Sequence, residues 1–186
     1  MGKVFERIDD EVAEFIQSQQ MFFVATAPLS ADGIVNVSPK GLESFAILDD
    51  RTVVYADLIG SGIETVAHLK ENGRIVVMFC AFEGEPKIVR LHGRGEVITP
   101  HHPAFESMQE HFPDYAALRA FIRITCERIS DSCGWGVPLY EFQGQRNQYL
   151  DFTNKAGVEG VREYQAKNNR ESIDGLPGIE PEWEET

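Results

Sequence analysis

Long apolar runs and closely spaced cysteines are both missing from this chain of 186 residues. No stretch reaches the roughly 18–20 apolar residues that a membrane helix needs, so no membrane partner is expected. The three cysteines, Cys80, Cys126 and Cys133, are an odd number without CxxC spacing. This pattern argues against a disulfide scaffold and a cysteine-based zinc site. The first twenty residues are acidic and amphipathic rather than basic and apolar, which is unlike a signal peptide and predicts a cytoplasmic protein.

Basic residues are also scarce, because 17 Lys and Arg stand against 30 Asp and Glu and leave a net charge of −13. Affinity for nucleic acid depends on neutralising phosphates with basic side chains, so no DNA or RNA partner is expected. Part of the acidity lies in the C-terminal tail, which predicts a solvated end. Its acidic residues are Glu180, Glu182, Glu184 and Glu185.

The common catalytic motifs GxxxxGKS/T, HExxH and GxSxG are absent as well. Their absence argues against a P-loop nucleotidase, a zincin protease and a serine hydrolase with a nucleophile elbow. The adjacent His101 and His102 would point about 100° apart on a helix, and adjacent histidines so arranged rarely share an ion. No metal site is predicted.

Apolar periodicity predicts strands joined by hairpins, with helices added to them. Apolar residues from Phe5 to Ile16 recur at helical spacing and indicate an N-terminal helix over about 3–20. Short β-rich runs follow at 21–27, 34–37, 45–48, 52–56, 74–82, 87–98 and 121–129. Gly93 and Gly95 predict a bulge or bend in the long strand that contains them.

Three further helices are predicted between and after these strands. The first covers 63–72 and ends at Gly73 as a left-handed cap. The second begins near Pro100 and stops at Pro113, and the third covers 147–169 with interruptions at Gly157 and Gly160. Six or seven hairpin-linked strands with a few helices indicate one mostly β domain (α+β) over 1–186, an antiparallel barrel with a C-terminal helical extension and acidic tail over about 147–186.

Two segments carry residues suited to holding an anion. Gly60, Ser61 and Gly62 follow a strand and open a helix, which is typical of a phosphate cradle and also of an ordinary tight turn. Ser38 and Lys40 lie beside Pro39 and Gly41, where a hydroxyl, a cation and free backbone amides could meet an anion. The alternative for this second segment is a polar strand end whose lysine lies in solvent.

Several segments, in their order and spacing, resemble the pyridoxamine 5′-phosphate oxidase-like family of FMN-binding split barrels. They are DGIVNVSPKG, TVVYADLIGSGIETVAHLKENGRIVVMF and KIVRLHGRGEVI. The later segments SDSCGWGVP and NNRESIDGLPGI are similar to a subfamily whose reaction is not generally assigned. Together they cover about residues 20–180.

This resemblance implies a six-stranded antiparallel split β-barrel that forms a twofold homodimer with two FMN sites at the interface. The family holds the FMN phosphate from the second strand and from the start of the helix after the fourth strand. By position, the implied cofactor-binding residues are Ser38, Lys40, Tyr55, Ala56, Asp57, Ser61, Gly62, Thr65 and Arg90. The backbone of 55–57 would run beside the flavin ring, and Arg90 would lie near the flavin or the dimer interface.

The sequence departs from the vitamin B6 oxidases at several positions. Where they carry a Ser-Arg-Lys run this chain has Ile63, Glu64 and Thr65, and Ile88 stands where they have a glutamine that contacts flavin. A glutamate beside a phosphate is unfavourable by about 1 kcal/mol or more if it is partly desolvated. The arginine and histidine that bind pyridoxal phosphate in those enzymes are not visible here.

The resulting hypothesis is an FMN-dependent oxidoreductase acting on an unidentified small molecule, with no catalytic residue assigned. Trp135 and Arg146 would shape the substrate side, although Trp135 could equally fill the dimer interface. One alternative is a split barrel that binds flavin or haem without turnover. Another is a reductase that uses the deazaflavin F420.

Overall fold

Eight strands and four helices make up the part of the chain that the computed structural model describes, which is residues 2–180. Glu182, Glu184 and Glu185 of the acidic tail lie outside that range. In chain order the elements are β1 Val4–Phe5, α1 Asp10–Ser18, β2 Phe22–Thr26, β3 Asn36–Lys40, β4 Phe45–Ile47, β5 Thr52–Leu58, α2 Glu64–Asn72, β6 Arg74–Cys80, β7 Ile88–Ile98, α3 Phe105–Gln109, β8 Leu118–Ser132 and α4 Gln148–Asn168.

The strands form one antiparallel sheet in the order β3-β2-β6-β7-β8-β5-β4, and β1 pairs with the second half of β8. The sheet curls until its two ends meet around the core. The Phe45 ring of β4 lies 5.1 Å from the Phe22 ring of β2 and 5.0 Å from the Phe79 ring of β6. Buried aliphatic side chains from both ends of the sheet, together with Val12 and Ile16 of α1, complete this core. The fold is the split barrel that the sequence resemblance implies.

The strand count exceeds the six that the resemblance implies and the six or seven that periodicity predicts, and the reason lies in β8. This strand runs for 15 residues, whereas the sequence predicts only 121–129. Its first half pairs with β5, so its last residues need a different neighbour on that side, and Val4–Phe5 supply it. The N-terminal helix is therefore shorter than predicted and begins at Asp10, where Asp9 accepts a hydrogen bond from the Val12 backbone N–H at 3.0 Å.

Two helices also differ from the sequence prediction. The helix expected from Pro100 to Pro113 covers only Phe105–Gln109. In the C-terminal helix the chain kinks at Gly157, whose φ of 65° and ψ of −178° are not helical, while Gly160 stays within the helix. None of the helices in residues 2–180 is long and apolar enough to cross a membrane.

Helix α2 lies against β2, β6 and β7 and ends as predicted. Gly73 takes a φ of 70° and donates its N–H to the Leu69 carbonyl at 2.9 Å, the left-handed cap that favours glycine. The bulge predicted in the long strand is present as well, because the register of β7 against β8 shifts between His92 and Gly93. A side chain at Gly93 would collide with the Thr125 carbonyl.

Candidate functional site

A pocket of about 720 Å³ opens between β3, the loop that follows β5 and the beginning of α2. Residues from the start of β8 and from the segment after α4 complete its wall. The charged residues that line it are Lys40, Glu64 and Arg119, and hydroxyl groups come from Ser38, Ser44, Ser61, Thr65 and Tyr149. Both segments that the sequence marked as anion-binding candidates therefore meet in one cavity.

Strand β3 supplies one wall through residues that alternate along it. Asn36, Ser38 and Lys40 are partly buried, while the intervening Val37 and Pro39 are exposed. Successive strand residues point to opposite faces, so the polar side chains share one face. The Asn36 amide donates to the Thr65 Oγ1 at 3.0 Å, and the Ser38 hydroxyl donates to the Asn36 Oδ1 at 3.3 Å. Asn36 thus ties two of the predicted hydroxyl groups into one network.

A buried carboxylate with two cations lies behind the pocket wall. Asp57 is fully buried, and its carboxylate accepts from Lys40 Nζ at 3.1 Å and from Arg119 Nε at 2.6 Å. Burial alone would raise the pKa of Asp57, but the Arg119 and Lys40 charges outweigh it and hold that pKa below its ordinary value of 3.8. Burial lowers the pKa of Arg119, and the Asp57 charge more than reverses this and raises it.

The depressed pKa predicts a loss of stability in acid. The unfolded chain takes up a proton on Asp57 as the pH falls through about 3.8, whereas the folded chain resists protonation until the pH is lower. Stability from this cluster is therefore complete above that pH and declines below it, by at most about 1.4 kcal/mol per pH unit for one proton. Urea unfolding of the wild-type protein and of Asp57→Asn, measured at about pH 5 and about pH 3, checks this. Equal losses on acidification in both proteins would contradict it.

In the loop of Gly60, Ser61 and Gly62, two carbonyl groups accept hydrogen bonds from buried side chains. Asn169, which is fully buried, donates its amide to the Gly60 carbonyl at 3.0 Å. Arg119 donates to the Gly62 carbonyl at 2.9 Å and to the Asn169 Oδ1 at 3.0 Å. The three backbone N–H groups of this loop donate to no other residue within 2–180. Unpaired N–H groups on a loop that precedes a helix are suited to binding an anion.

Glu64 places a carboxylate beside this loop. It is the first residue of α2, and its carboxylate occupies the space that a Cβ on Gly62 would fill. The Ile173 backbone N–H, which comes from the segment after α4, donates to its Oε1 at 3.4 Å. A carboxylate in the first turn of a helix is favourable because of the helix dipole. The protein thus holds one of its own carboxylates against Gly62, although none of the three loop N–H groups donates to it.

The structure brings most of the predicted cofactor-binding residues together. Those that line the pocket are Ser38, Lys40, Ala56, Ser61, Gly62 and Thr65. Asp57 lies behind the wall, and the Tyr55 ring lies in the core, 5.7 Å from the Phe22 ring. Burial and the Asp57 charge raise the pKa of Tyr55 well above its ordinary value.

Three predicted residues lie elsewhere. Arg90 is on β7 and donates to the Ser132 hydroxyl at 2.9 Å, outside the pocket. Arg146 lines a second cavity that adjoins the first. Trp135 is 81% exposed and lines neither cavity.

Sequence reasoning missed Arg119, Asn169 and Asn36. Arg119 is the extra residue of a bulge, because Asp57 pairs with Ala120 while Leu58 pairs with Leu118. Bulges re-aim side chains, and nothing in the local sequence marks this one. Asn169 lies just beyond α4 and reaches the loop only through tertiary packing. Asn36 was visible as part of the polar strand end, and its alternation with Ser38 and Lys40 was the available signal.

Comparisons with known proteins agree with this architecture. The family profile described as pyridoxamine 5′-phosphate oxidase matches residues 8–133. The pyridoxamine 5′-phosphate oxidase family protein ustO of Aspergillus flavus is 36% identical over 194 aligned residues, which cover 94% of this chain and 77% of that protein.

Solved structures show the same fold. A crystal structure of HupZ from Group A Streptococcus is 28% identical, with a TM-score of 0.51 over 66% of this chain and 91% of HupZ. A Lactobacillus delbrueckii protein, assigned provisionally as a pyridoxamine 5′-phosphate oxidase, is 17% identical, with a TM-score of 0.51 over 68% of this chain and 98% of its own. The sequence match and the split barrel lead to one conclusion: this chain belongs to the pyridoxamine 5′-phosphate oxidase family.

Proposed function

We propose that this protein binds FMN in the 720 Å³ pocket and acts as a flavin-dependent oxidoreductase on a small molecule. The observation that carries the proposal is the loop of Gly60, Ser61 and Gly62. Its N–H groups are free while Arg119 and Asn169 hold its carbonyl groups. In a barrel of this family such a loop, at the start of a helix, is suited to a phosphate.

The residues of the pocket fit a flavin nucleotide. The loop N–H groups and the Ser61 hydroxyl would hold the phosphate, with Lys40 and Ser38 facing it from β3. Lys40 brings positive charge, although Asp57 offsets part of it. The cavity volume lies within the roughly 300–1,000 Å³ that is usual for small-molecule and cofactor sites. Apolar surface at Ala56, Leu58 and Ile59 is available to the flavin ring.

The flavin, when bound, would supply the electron or hydride transfer. The chain's own part is then to position it, to exclude water and to admit a substrate. Among the residues that line the pocket, none is placed as an evident proton donor, and we assign no catalytic side chain. The three cysteines are free thiols, which suits the reducing cytoplasm that we propose as the location.

We further propose a homodimer whose second copy closes the pocket. Within the described residues β3 is an end strand of the sheet, paired only with β2. Val37 on this strand and Val35 just before it are apolar, 62% and 65% exposed, and both also line the pocket. Exposed apolar surface beside a ligand site is typical of an interaction surface. A twofold axis there would give each flavin two protein walls.

Sedimentation velocity recorded at the visible flavin band tests both proposals together. Protein loaded with FMN and desalted is expected to carry the absorbance at twice the chain mass of 20.9 kDa. Lys40→Met is expected to weaken FMN binding about tenfold or more, because a charge-assisted hydrogen bond contributes about 1.5–3 kcal/mol.

Lys155→Met, an exposed change on α4, is the matched control and should leave binding unchanged. Protein that retains no flavin would contradict the cofactor assignment, and absorbance that sediments with a single chain would contradict the dimer. Anaerobic addition of NADPH then separates a redox enzyme from a passive carrier. Bleaching of the flavin band supports the oxidoreductase, and a band that no donor bleaches supports binding without turnover.

A further inference from the structure

A second cavity of about 1060 Å³ adjoins the first and has a different lining. Most of its exposed lining surface is apolar. Its apolar and aromatic side chains include Met21, Phe23, Phe82, Tyr140 and Phe142. A concave apolar cavity with a few polar groups is the usual form of a small-molecule site.

One wall of this cavity is the segment 140–146, which has no regular secondary structure. Specific contacts nevertheless hold it. The Tyr140 N–H donates to the Phe82 carbonyl at 2.9 Å, and the Phe142 N–H donates to the Glu83 Oε1 at 2.8 Å. The Tyr140 and Phe82 rings lie 5.6 Å apart, and Gln145 donates to the Gln20 carbonyl at 3.2 Å. The cavity is therefore preformed, yet Tyr140 remains 63% exposed.

The two cavities share a wall made of residues 39–42 and Tyr149. Leu42 in this wall has a φ of 62°, a left-handed conformation that is strained for a bulky residue. Such strain clusters at ligand sites, where the surrounding structure enforces it. The Ser44 hydroxyl donates to the Gly41 carbonyl at 2.6 Å and secures the turn. Molecules bound in the two cavities would be neighbours across this turn.

The charges around the second cavity do not favour an anion. Glu83 and Glu141 line it together with Lys40 and Arg146. Asp57 already neutralises the charge of Lys40 by pairing with it. Among the lining cations within residues 2–180, Arg146 is then the one whose charge is not neutralised by such a pair, and the lining holds two carboxylates against it. The chain as a whole carries a net charge of −13. A phosphorylated ligand would meet repulsion here, whereas an uncharged aromatic molecule would meet only the aromatic walls.

The geometry points to a second binding site, separate from the flavin pocket, that takes an uncharged aromatic small molecule between Tyr140, Phe142 and Phe23. The ligand's role as substrate rests on the proposed flavin function, but the binding itself does not. Its place beside the shared wall would bring it next to a flavin in the first pocket.

Titration with the neutral fluorescent probe N-phenyl-1-naphthylamine tests the site. The full-length protein is expected to bind and brighten the probe. Tyr140→Ala and Phe142→Ala should each weaken binding about fivefold or more, because each removes an aromatic wall. Trp135→Ala is the matched control: it removes a more exposed aromatic residue that lies shortly before this segment and outside both cavities, and it should change binding less than about twofold.

Two further additions give outcomes that separate this inference from the flavin proposal. Pyridoxal 5′-phosphate should not displace the probe, and FMN should leave it bound. Probe displacement by FMN would show one shared cavity and overturn the second site. A probe that fails to bind would also overturn it, as would an equal loss of probe affinity in Trp135→Ala and Tyr140→Ala. A protein that retains no FMN but binds the probe in the expected pattern would refute the flavin proposal alone.

Discussion

Substitution of Arg119 by Met is expected to lower the free energy of unfolding by about 3–5 kcal/mol, the usual cost of removing one partner from a buried ion pair. Arg119 is 5% exposed, and its loss leaves the fully buried Asp57 with Lys40 as its only cation within residues 2–180. The Gly62 carbonyl and the Asn169 side chain would each lose a donor at the same time. Urea unfolding at neutral pH measures the effect.

Arg123→Met is the matched control, since it is the same substitution four residues along β8. Arg123 pairs with Glu96 at a more exposed position, and exposed pairs contribute about 0–1 kcal/mol. The double variant Asp57→Asn with Arg119→Met should be more stable than Arg119→Met alone, because it removes the unpaired carboxylate. An Arg119→Met protein that is no less stable than Arg123→Met would refute this account of the cluster.

Arg119→Met should also reduce flavin retention by more than the increase in unfolded protein explains. Arg119 lines the pocket and donates to the Gly62 carbonyl, so its loss removes a charge from the wall and also releases the loop. A loop without this donor would turn its carbonyl groups toward the pocket in part of the population. FMN titration at low temperature, where the variant is folded by circular dichroism, separates this positioning effect from a loss of stability.

Substitution of Glu64 by Gln is expected to strengthen FMN binding about tenfold, which corresponds to about 1.4 kcal/mol. The Glu64 carboxylate lies against Gly62 at the helix start and would repel a phosphate bound by the loop. Glutamine has nearly the same shape and removes only the charge. Riboflavin lacks the phosphate, so its affinity should not change, and the ratio of FMN to riboflavin affinity is the diagnostic quantity.

Glu159→Gln, an exposed change on α4, tests whether net charge alone alters the ratio, and no change is expected from it. If Glu64→Gln strengthens the binding of FMN and of riboflavin equally, the carboxylate acts on the shape of the pocket and not on the phosphate. If neither affinity changes, the phosphate end of the ligand lies elsewhere. Because wild-type protein supplies the baseline ratio, weak FMN binding does not obscure the comparison.

Local sequence was informative wherever a short segment decides its own conformation. The hairpins of β2 with β3 and of β4 with β5, the left-handed cap at Gly73 and the bulge at Gly93 were all predictable. Turn residues and alternation act over a few positions, and they are not overridden here by distant contacts. Ser38, Lys40 and Ser61 could be selected from local sequence as well, and the family resemblance extended that selection to Thr65.

Tertiary structure alone decided the rest, because those features depend on residues far apart in the chain. Val4–Phe5 became a strand because β8 extends beyond β5 and leaves an edge to be paired. The bulge that aims Arg119 at Asp57 arises from the register between two strands some sixty residues apart. The free N–H groups of the 60–62 loop depend on Asn169, more than a hundred residues away. Alternation and turn chemistry therefore determined the strands and the candidate anion-binding groups, whereas the orientation of those groups was set by long-range packing that short sequence patterns do not encode.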